Sequence, residues 1–463
     1  MDPEPEDDGL PYSLENQSQP VSAVRQDSDF SGADSGANTV MEREQFYIQD
    51  QHVFVVTWSA RPVFSLFDLN DGHESLMALI TAIVENIHAL DDQLLSVSSY
   101  SSPSAPKTTM VFGEYGPLYV VVVSQRFEAS TLKVLANNVH NQMLLLLSGS
   151  VHKMLESHPQ YDLRNLMGGV DTMIRNQICR TTTDLSFEFE AIPSLVLASK
   201  IRQKISNLMI RHRVQSSHVL FLLLLRGRFL VQIAHRAGHA LTLSDCQLLI
   251  TFANHMSVLS MSDMFSPVCL PEFNRNAFVY AHLAAIADGI FLIQITADPN
   301  DILNLQRYKE QFTQSMIAAG LLTAIQCAPV APSLGFLGIS DANVRHVIAI
   351  SRKCSQMVAT SIRPPFRDNS KDPLDWCRLH RHVFCTMKGM PCAPKIFLEV
   401  RTSHTLLGIR SAAIQLMAIL SPLLSRTEAV QCGRRVCSAV QSRENFLFAC
   451  KFGTWSSKYS PFL

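Results

Sequence analysis

Apolar and polar positions alternate along this chain in short runs that predict strands, separated by stretches with apolar residues at helical spacing. The runs 53–58 and 62–67 predict a first hairpin, and 74–90 predicts an amphipathic helix. We expect the apolar residues of this helix to face a sheet; they are Leu76, Leu79, Ile80, Ile83, Ile87 and Leu90. Strands at 94–99, 108–112 and 118–124, then helices from Ser130, complete the order β-β-α-β-β-β-α-α, typical of a small sheet covered by helices.

A second region is organised around the stretch Ser266–Leu283. Pro267 and Pro271 disfavour a helix, so the chain is predicted to be extended as far as Phe273. Two apolar runs on either side of the turn at 287–289 predict a hairpin. A helix is then expected to begin at 298–301. Earlier in this region, 185–191 predicts a strand, 193–211 a helix, and 218–225 with 228–235 a hairpin.

A third region of similar length ends the chain. Strands are predicted at 345–351, 356–362, 395–401 and 405–410, and a helix from Asp372. The segments 411–425 and 427–440 are predicted to be helical, and 446–452 to be a last strand. Three α+β regions of this kind indicate a degenerate structural repeat.

Charge divides the chain unevenly. Residues 1–46 hold 11 acidic and 2 basic residues, a net charge of −9, and the rest of the chain carries +8. The first segment is also rich in Pro, Ser and Gly, so it is predicted to be a disordered acidic tail. The predicted organisation is therefore α+β: the tail 1–46, then three domains of mixed sheet with flanking helices at 47–165, 185–320 and 335–463.

The cysteine pattern and the hydropathy of the chain indicate where in the cell the protein is expected. The 11 cysteines are scattered without a short-loop framework, so a reduced, intracellular protein is expected. The acidic N-terminus resembles neither a secretory nor a mitochondrial presequence. The uncharged stretch 311–340 contains Pro329, Pro332, Gly335 and Gly338, which favour a helix end and a linker over a membrane span. Any membrane contact is expected to be peripheral.

Catalytic motifs are largely missing. The sequence has no Gly-Lys dipeptide for a phosphate-binding loop, and neither a G-x-S-x-G nor an H-E-x-x-H pattern. One metal-like cluster exists, Cys377, His380, His382 and Cys385, with Cys392 beyond. On one helix His380 and His382 point in different directions, so we expect a structural helix and no metal. A metal-dependent enzyme using Cys377, His380 and Cys385 remains the alternative.

Basic residues cluster around the predicted helix at 193–211. They are Lys200, Arg202, Lys204, Arg211 and Arg213. They are candidates for contact with an anionic membrane or a partner, and the alternative is a solvated helix face. Exposed aromatic residues are not interleaved with them, so we expect no nucleic-acid binding.

Several segments carry a resemblance to a known family. The segment C-L-P-E-F-N at 269–274, followed by an aromatic strand, resembles a signature of the SAND family of Mon vacuolar-fusion proteins. Q-Y-D-L-R-N-L at 160–166 resembles that family's N-Y-D-L-R-x-L-L segment, and H-V-F-V-V at 52–56 with R-P-V-F-S at 61–65 resembles its first hairpin. The resemblance covers roughly residues 47–463.

The resemblance implies three longin domains and a regulatory function. Family members pair with a Ccz-type longin partner. The pair promotes nucleotide exchange on a late-endosomal Rab GTPase in endosome maturation, vacuole and lysosome fusion and vesicle trafficking. It also implies recruitment by phosphoinositide and an upstream early-endosomal Rab, hence a cytoplasmic protein lying peripherally on early and late endosome membranes. No cofactor and no catalytic residue are expected. A longin-type trafficking adaptor without exchange activity is the other alternative.

The resemblance also favours the first domain as the surface for the GTPase or partner. The candidate contact residues are Trp58, Arg61, Glu74, Thr81, Glu85 and Asn86. Ordinary solvent-exposed positions are the alternative interpretation for each of them.

Overall fold

The computed structural model describes residues 51–66, 71–100, 107–181, 184–211, 218–259, 263–364, 375–389, 395–449 and 453–455. The side chains of 71–74, 257–259, 375 and 455 are also outside this description. The predicted acidic tail 1–46 therefore lies outside the described residues and stays a prediction.

The first domain is a five-stranded antiparallel sheet with helices on both faces. Its strands are β1 (Gln51–Thr57), β2 (Pro62–Ser65), β3 (Ser96–Tyr100), β4 (Lys107–Tyr115) and β5 (Leu118–Ser124), in the order β2-β1-β5-β4-β3. Its helices are α1 (Asp71–His88), α2 (Ala129–Leu147), α3 (Ser150–Ser157) and α4 (Val170–Arg180), with a 3₁₀ turn at Leu163–Leu166. Val53 and Val55 of β1 pack with Leu132 and Leu135 of α2. The alternate residues Phe54 and Val56 are also buried and face the other side of the sheet.

A linker and the second domain follow. The linker contributes β6 (Ile192–Pro193) and α5 (Ser199–Arg211). The domain consists of β7 (Val219–Arg226), β8 (Phe229–Arg236), α6 (Leu243–Leu259), β9 (Met264–Val268), α7 (Pro271–Asn274), β10 (Val279–Ala287), β11 (Ile290–Thr296), α8 (Ile302–Ala318) and α9 (Leu321–Cys327). Its own strands run in the order β8-β7-β11-β10-β9.

The third domain repeats this arrangement. Its elements are β12 (Val344–Ser351), β13 (Gln356–Ala359), α10 (Asp375–Gly389), β14 (Ile396–Val400), β15 (Thr405–Arg410), β16 (Ile414–Leu420), α11 (Arg426–Ser442) and α12 (Glu444–Leu447), followed by β17 (Gly453–Trp455). The order is β13-β12-β16-β15-β14. Each sheet thus places its strands second, first, fifth, fourth, third, so the predicted repeat is confirmed at the level of topology.

Two short strands tie the second and third domains together. β6 pairs in parallel with β13, and the next residue, Ser194, bridges to Leu230 of β8. β17 leaves the third domain and pairs in parallel with β8. These parallel additions make the second and third sheets mixed, whereas the described strands of the first sheet all pair antiparallel.

The hairpin of the second region is confirmed. β10 and β11 pair around Asp288-Gly289, and Gly289 has a φ of 66°, which glycine adopts without strain. Asp301 is the N-cap of α8, as expected. The extended approach to Phe273 is wrong, because Pro271 occupies the first turn of α7, where its missing amide hydrogen has no cost.

Three other local predictions are wrong. Segment 411–425 is predicted helical but contains β16, whose residues are all buried between β15 and β12. A short run that is buried on both faces has no periodicity to distinguish a strand from a helix. Segment 446–452 begins within α12, and 185–191 is a turn in which the Phe189 amide donates to the Leu185 carbonyl at 2.9 Å.

No helix in the described ranges is long and apolar enough to cross a membrane.

Candidate functional site

Helix α1 of the first domain has apolar residues on two faces. Met77, Ile80 and Val84 are buried against the sheet. Leu79 is 56% exposed and Ile83 is 42% exposed. Both were expected to face inward, as was Leu90, which is 75% exposed, so that prediction is wrong for all three. A surface helix that is apolar on its outer face as well as its inner one is typical of a helix that another protein covers.

Thr81, a predicted contact residue, is not available to a partner. Its side chain is buried, and its hydroxyl donates to the Met77 carbonyl at 3.0 Å. The position falls on the inner face because it lies four residues after Met77 and three before Val84. The prediction for Thr81 is therefore corrected.

Glu85 and Asn86 are exposed on the outer side of α1. The Tyr119 hydroxyl donates to Glu85 Oε1 at 2.6 Å, which fixes this half of the helix over β5. Burial, and then this hydrogen bond, raise the pKa of Tyr119. Glu74 lies in the first turn of α1, and its side chain is outside the described residues.

Trp58 and Arg61 lie in the turn between β1 and β2. Trp58 is 41% exposed, and its amide donates to the Pro117 carbonyl at 3.0 Å. Val56 pairs with Tyr119, so the two side chains share a face of the sheet. Trp58 lies two residues after Val56 and is therefore on that face as well, the face covered by α1. The exposed Arg61 donates from Nε and Nη2 to Gln160 Oε1 at 3.1 and 2.8 Å. Trp58 therefore lies on the α1 side of the sheet, whereas Arg61 is tied to the segment after α3, a helix that packs on the other face.

Strand β3 provides an open edge beside this helix. All five of its residues are exposed, with Val97 45% and Tyr100 63% accessible. His88 at the end of α1 and Gln93 both contact Glu114 Oε2, at 3.0 and 2.9 Å, which ties the end of α1 to β4, the neighbour of β3. We call the exposed apolar set on the α1 side of the sheet the α1–β3 surface; it comprises Leu79, Ile83, Leu90, Leu95 and Val97. Tyr100 lies three positions after Val97 on the strand, so its side chain is on the opposite face. It offers apolar area and backbone hydrogen-bonding groups, the means of binding another protein.

The basic residues of α5 divide into two groups. Lys200, Lys204 and Arg211 are exposed along one stripe of the helix. Arg202 is buried, so the expectation that it faces a membrane is wrong. Arg213 lies outside the described residues.

Arg202 binds backbone groups from three segments. Nη1 donates to the Val231 carbonyl at 2.6 Å, and Nη2 donates to the carbonyls of Leu195 and, at 3.4 Å, Leu447. The helical spacing places Arg202 on the same face as Ile205 and Met209, which are buried in the second domain's core. Its role is therefore to satisfy buried backbone carbonyls.

The Cys/His cluster on α10 is distributed among separate partners. His380 Nε2 lies 2.7 Å from His346 Nδ1 inside the third domain, whereas the exposed His382 contacts Glu399 at 2.8 Å on the surface. Burial raises the pKa of Cys377 to about 12. Cys385 instead faces Glu188 of the linker. Cys392 lies outside the described residues, and among those described no three His, Cys, Asp or Glu side chains are grouped as metal ligands.

Comparisons with known proteins agree with this architecture. Family models described as the first and the second longin domain of FUZ, MON1 and HPS1 match residues 51–176 and 217–314. These ranges contain the first and second sheets described above, and the third sheet repeats their strand order.

Relatives match over most of the chain. The vacuolar fusion protein MON1 homolog A of Gallus gallus is 24% identical over 92% of this chain and 76% of its own length. Protein SAND of Takifugu rubripes is 22% identical over 88% of this chain and 78% of its own. The vacuolar fusion protein MON1 of Yarrowia lipolytica is 27% identical over 69% of this chain and 58% of its own.

A solved bacteriophytochrome from R. palustris aligns with 85% of this chain and 95% of its own length at 7% identity. The TM-score is 0.15, which is too low to indicate a shared fold. This chain therefore carries a first and a second longin domain of the kind found in FUZ, MON1 and HPS1, and over most of its length it is similar to proteins named MON1 and SAND.

Proposed function

We propose that this protein is a subunit of a guanine nucleotide exchange factor that activates a late-endosomal Rab GTPase. Its process would be early-to-late endosome maturation and fusion with the vacuole or lysosome. Relatives that match most of the chain are named vacuolar fusion proteins, which supports a trafficking role. The single observation that carries the proposal is the α1–β3 surface, an exposed apolar helix face near an open strand edge.

Exchange activity of this kind needs a binding surface but no acid, base or nucleophile. A GTPase holds its nucleotide through phosphate-binding backbone amides and Mg²⁺. A protein that binds the nucleotide-free form more tightly must, by reciprocal linkage, weaken nucleotide binding by the same factor. An apolar surface that grips mobile segments of the GTPase is sufficient for this.

The partners of the proposal are a Ccz-type longin protein, the late-endosomal Rab and an upstream early-endosomal Rab. One longin domain presents one helix and one free edge, whereas holding two mobile switch segments requires a broader surface. We therefore propose that exchange requires a composite surface formed with the longin partner. Trp58, Arg61, Glu85 and Asn86 are this chain's proposed further contribution, because all four are exposed in the first domain.

Peripheral attachment to anionic phosphoinositide membranes is the remaining part of the proposal. The exposed residues Lys200, Lys204 and Arg211 support it. Residues 335–463 add 18 basic residues against 7 acidic ones, so the third domain is the most basic part of the chain. Its net charge would strengthen attraction to an anionic surface.

Release of a fluorescent guanine nucleotide from the Rab would test the proposal. We expect this chain alone to be nearly inactive, and the pair with the longin partner to accelerate release. The double variant Leu79→Ser/Ile83→Ser should reduce that acceleration by about tenfold, because it removes the exposed apolar anchors without touching the core. The matched control is Leu303→Ser/Ile317→Ser, the same change at exposed positions of α8, which should have no effect.

Each alternative predicts a different result. Full activity from the isolated chain would contradict the composite surface. Acceleration that is equal in the wild type and in Leu79→Ser/Ile83→Ser would exclude the α1–β3 surface. Binding of the partner and the Rab without any accelerated release would indicate a longin-type adaptor. A metal-dependent enzyme would be indicated by a metal bound stoichiometrically and lost on Cys377→Ser.

A further inference from the structure

Each of the three sheets ends at its second and its third strand, and most of these edges are covered within the chain. β6 lies on β13, and β17 lies on β8. The Arg175 guanidinium donates to the carbonyls of Ser65 and Leu66 at the end of β2. β9 contains Pro267, and the next residue after the strand, Cys269, donates its amide to Leu145 of the first domain at 2.7 Å. Among the described elements, β2, β3, β9 and β14 are the domain strands with no further strand beside them. Of these four, β3 and β14 have neither the arginine contact of β2 nor the proline of β9.

The register of β14 shows which of its groups are unoccupied. The Arg401 amide donates to the His404 carbonyl at 2.9 Å, and the Arg410 amide donates to the Lys395 carbonyl at 2.8 Å. In an antiparallel pair hydrogen-bonded positions alternate, so residues 395, 397, 399 and 401 face β15. The N–H and C=O groups of Ile396, Leu398 and Val400 therefore point away from the sheet.

The side chains of β14 favour coverage by another chain. Ile396 and Val400 are 37% and 47% exposed, and alternation places them on the same face as Leu398, which packs partly into the core. The pairing with β15 has no bulge, and β14 contains no proline. Its one charged residue, Glu399, is paired with Arg401 at 2.7 Å and with His382 at 2.8 Å. The strand therefore lacks the proline, the bulge and the unpaired charge that prevent strand addition at an edge.

The charged residues at the two ends of β14 indicate which kind of strand can pair with it. Lys395 precedes β14, and Arg401, whose Nε donates to Glu399 Oε1 at 2.7 Å, follows it, so the three side chains leave this edge with a net charge of +1. If a second copy paired antiparallel with its own β14 about Leu398, Lys395 would face Arg401 of the other copy at both ends, and like charges directly opposite each other are destabilising. A strand with apolar residues in its middle and acidic residues at its ends would complement the same edge.

From these observations we infer that β14 is a second strand-pairing site, which binds an extended, acid-flanked strand of the partner polypeptide. The inference rests on the proposed function for the existence of that partner, and it adds a site in the third domain to the α1–β3 surface in the first. Main-chain hydrogen bonds from Ile396, Leu398 and Val400 supply the affinity, and Lys395 and Arg401 select the partner strand by charge.

Amide hydrogen exchange on the full chain, alone and co-purified with the longin partner, tests this directly. In the isolated chain the amides of 396, 398 and 400 should exchange rapidly, and those of 397 and 399 slowly, because only the latter are bonded to β15. In the complex the three rapid amides should become slow. If they stay rapid while the amides of α1 and β3 become protected, the inference is overturned and the proposed function stands. If no region becomes protected, both fail.

Substitutions provide the second measurement. Val400→Pro removes one outward amide hydrogen, breaks no bond to β15, and follows a residue that is already extended. It should weaken binding of the partner by about tenfold, whereas Val400→Thr, which keeps the amide and the branched side chain, should bind like the wild type. Lys395→Glu should weaken binding as well.

Equal binding by all three variants would overturn the inference. Concentration-dependent dimers of the isolated chain that Val400→Pro abolishes would assign the edge to a second copy and overturn it too.

Discussion

Arg202 satisfies buried carbonyl groups that belong to three separate segments of backbone. Its guanidinium contacts β8, the linker before α5, and α12 of the third domain. A buried carbonyl that loses its donor costs about 1–3 kcal/mol. The positive charge of this residue is therefore used inside the protein, and only its neighbours on α5 can meet a membrane.

Arg202→Met should lower the free energy of unfolding by at least about 2 kcal/mol, because it leaves several buried carbonyls without a donor. Lys204→Ala on the same helix is the control and should change it by less than about 0.5 kcal/mol. Urea unfolding followed by circular dichroism measures both. An Arg202 variant as stable as the Lys204 variant would contradict the structural role.

The buried pair His346 and His380 makes stability depend on pH. Burial lowers the pKa of His346 to about 4, and burial followed by the charge of His346 lowers the pKa of His380 well below 6.5. The unfolded chain then binds more protons than the folded one between about pH 6.5 and 4. Stability is fully present above the unfolded pKa and is lost as the pH falls through this window.

Each such histidine contributes a slope of about 1.4 kcal/mol per pH unit within the window. His380→Gln should reduce the slope of unfolding free energy against pH by about that amount, because it removes one depressed histidine. His382→Gln, at an exposed histidine on the same helix, serves as the control. Urea titrations between pH 7 and 4 would measure the slopes, and identical slopes for the two variants would rule out the assignment.

At the scale of elements, α1 shows how far the sequence predicts this structure. Its position, length and amphipathic character follow from the spacing of apolar residues. Its orientation does not, because apolar residues occupy both faces and the pattern alone does not say which face meets the sheet. Leu79 and Ile83 therefore appeared to belong to the core, and Thr81 to the surface. The excess of apolar residues around the whole helix was the signal that its outer face is apolar as well as its inner one.

Other elements were predictable where their sequence signal is local, and unpredictable where burial or tertiary packing decides the structure. The hairpin of β10 and β11 was predictable because its turn residues and alternation are local. β16 was not, since it is buried on both faces and carries no period. The sequence alone did not show that Arg202 is buried and Lys204 exposed. Both are long basic side chains two positions apart, and the structure was needed to show which face of α5 meets the core.

At the scale of the whole molecule, the linkers decide how the domains are joined. β6 and β17 are only two and three residues long, and they pair with strands far away in the sequence. Pairing of such short segments has no signature in local propensity, so it could not be predicted. A second connection involves side chains: Glu188 of the linker contacts Arg381 of α10, and Thr131 of α2 donates to Glu188 at 2.6 Å.

This Glu188–Arg381 pair joins the first and third domains through the linker. Both side chains are buried, the Arg381 guanidinium also lies 4.6 Å from the ring centre of Phe127, and Cys385 contacts the same carboxylate. Removing one member of a buried ion pair leaves the other charge uncompensated and costs about 3–5 kcal/mol, whereas replacing both members costs much less. The pair should therefore show strong coupling in a double-mutant cycle.

We expect Glu188→Gln and Arg381→Met each to destabilise the protein by about 3 kcal/mol, and the double variant to be more stable than the sum of the two predicts by about 2 kcal/mol. The matched control is the neighbouring pair Glu190 and Lys388, which joins the same two elements at 2.6 Å but is about half exposed. Its cycle should give a coupling below about 1 kcal/mol, because water screens exposed pairs. Urea unfolding of the wild type and the six variants measures both cycles. Equal coupling for the two pairs would contradict a role for the buried pair in holding the first and third domains together, and would leave β6 and β17 as the main connections of the third domain.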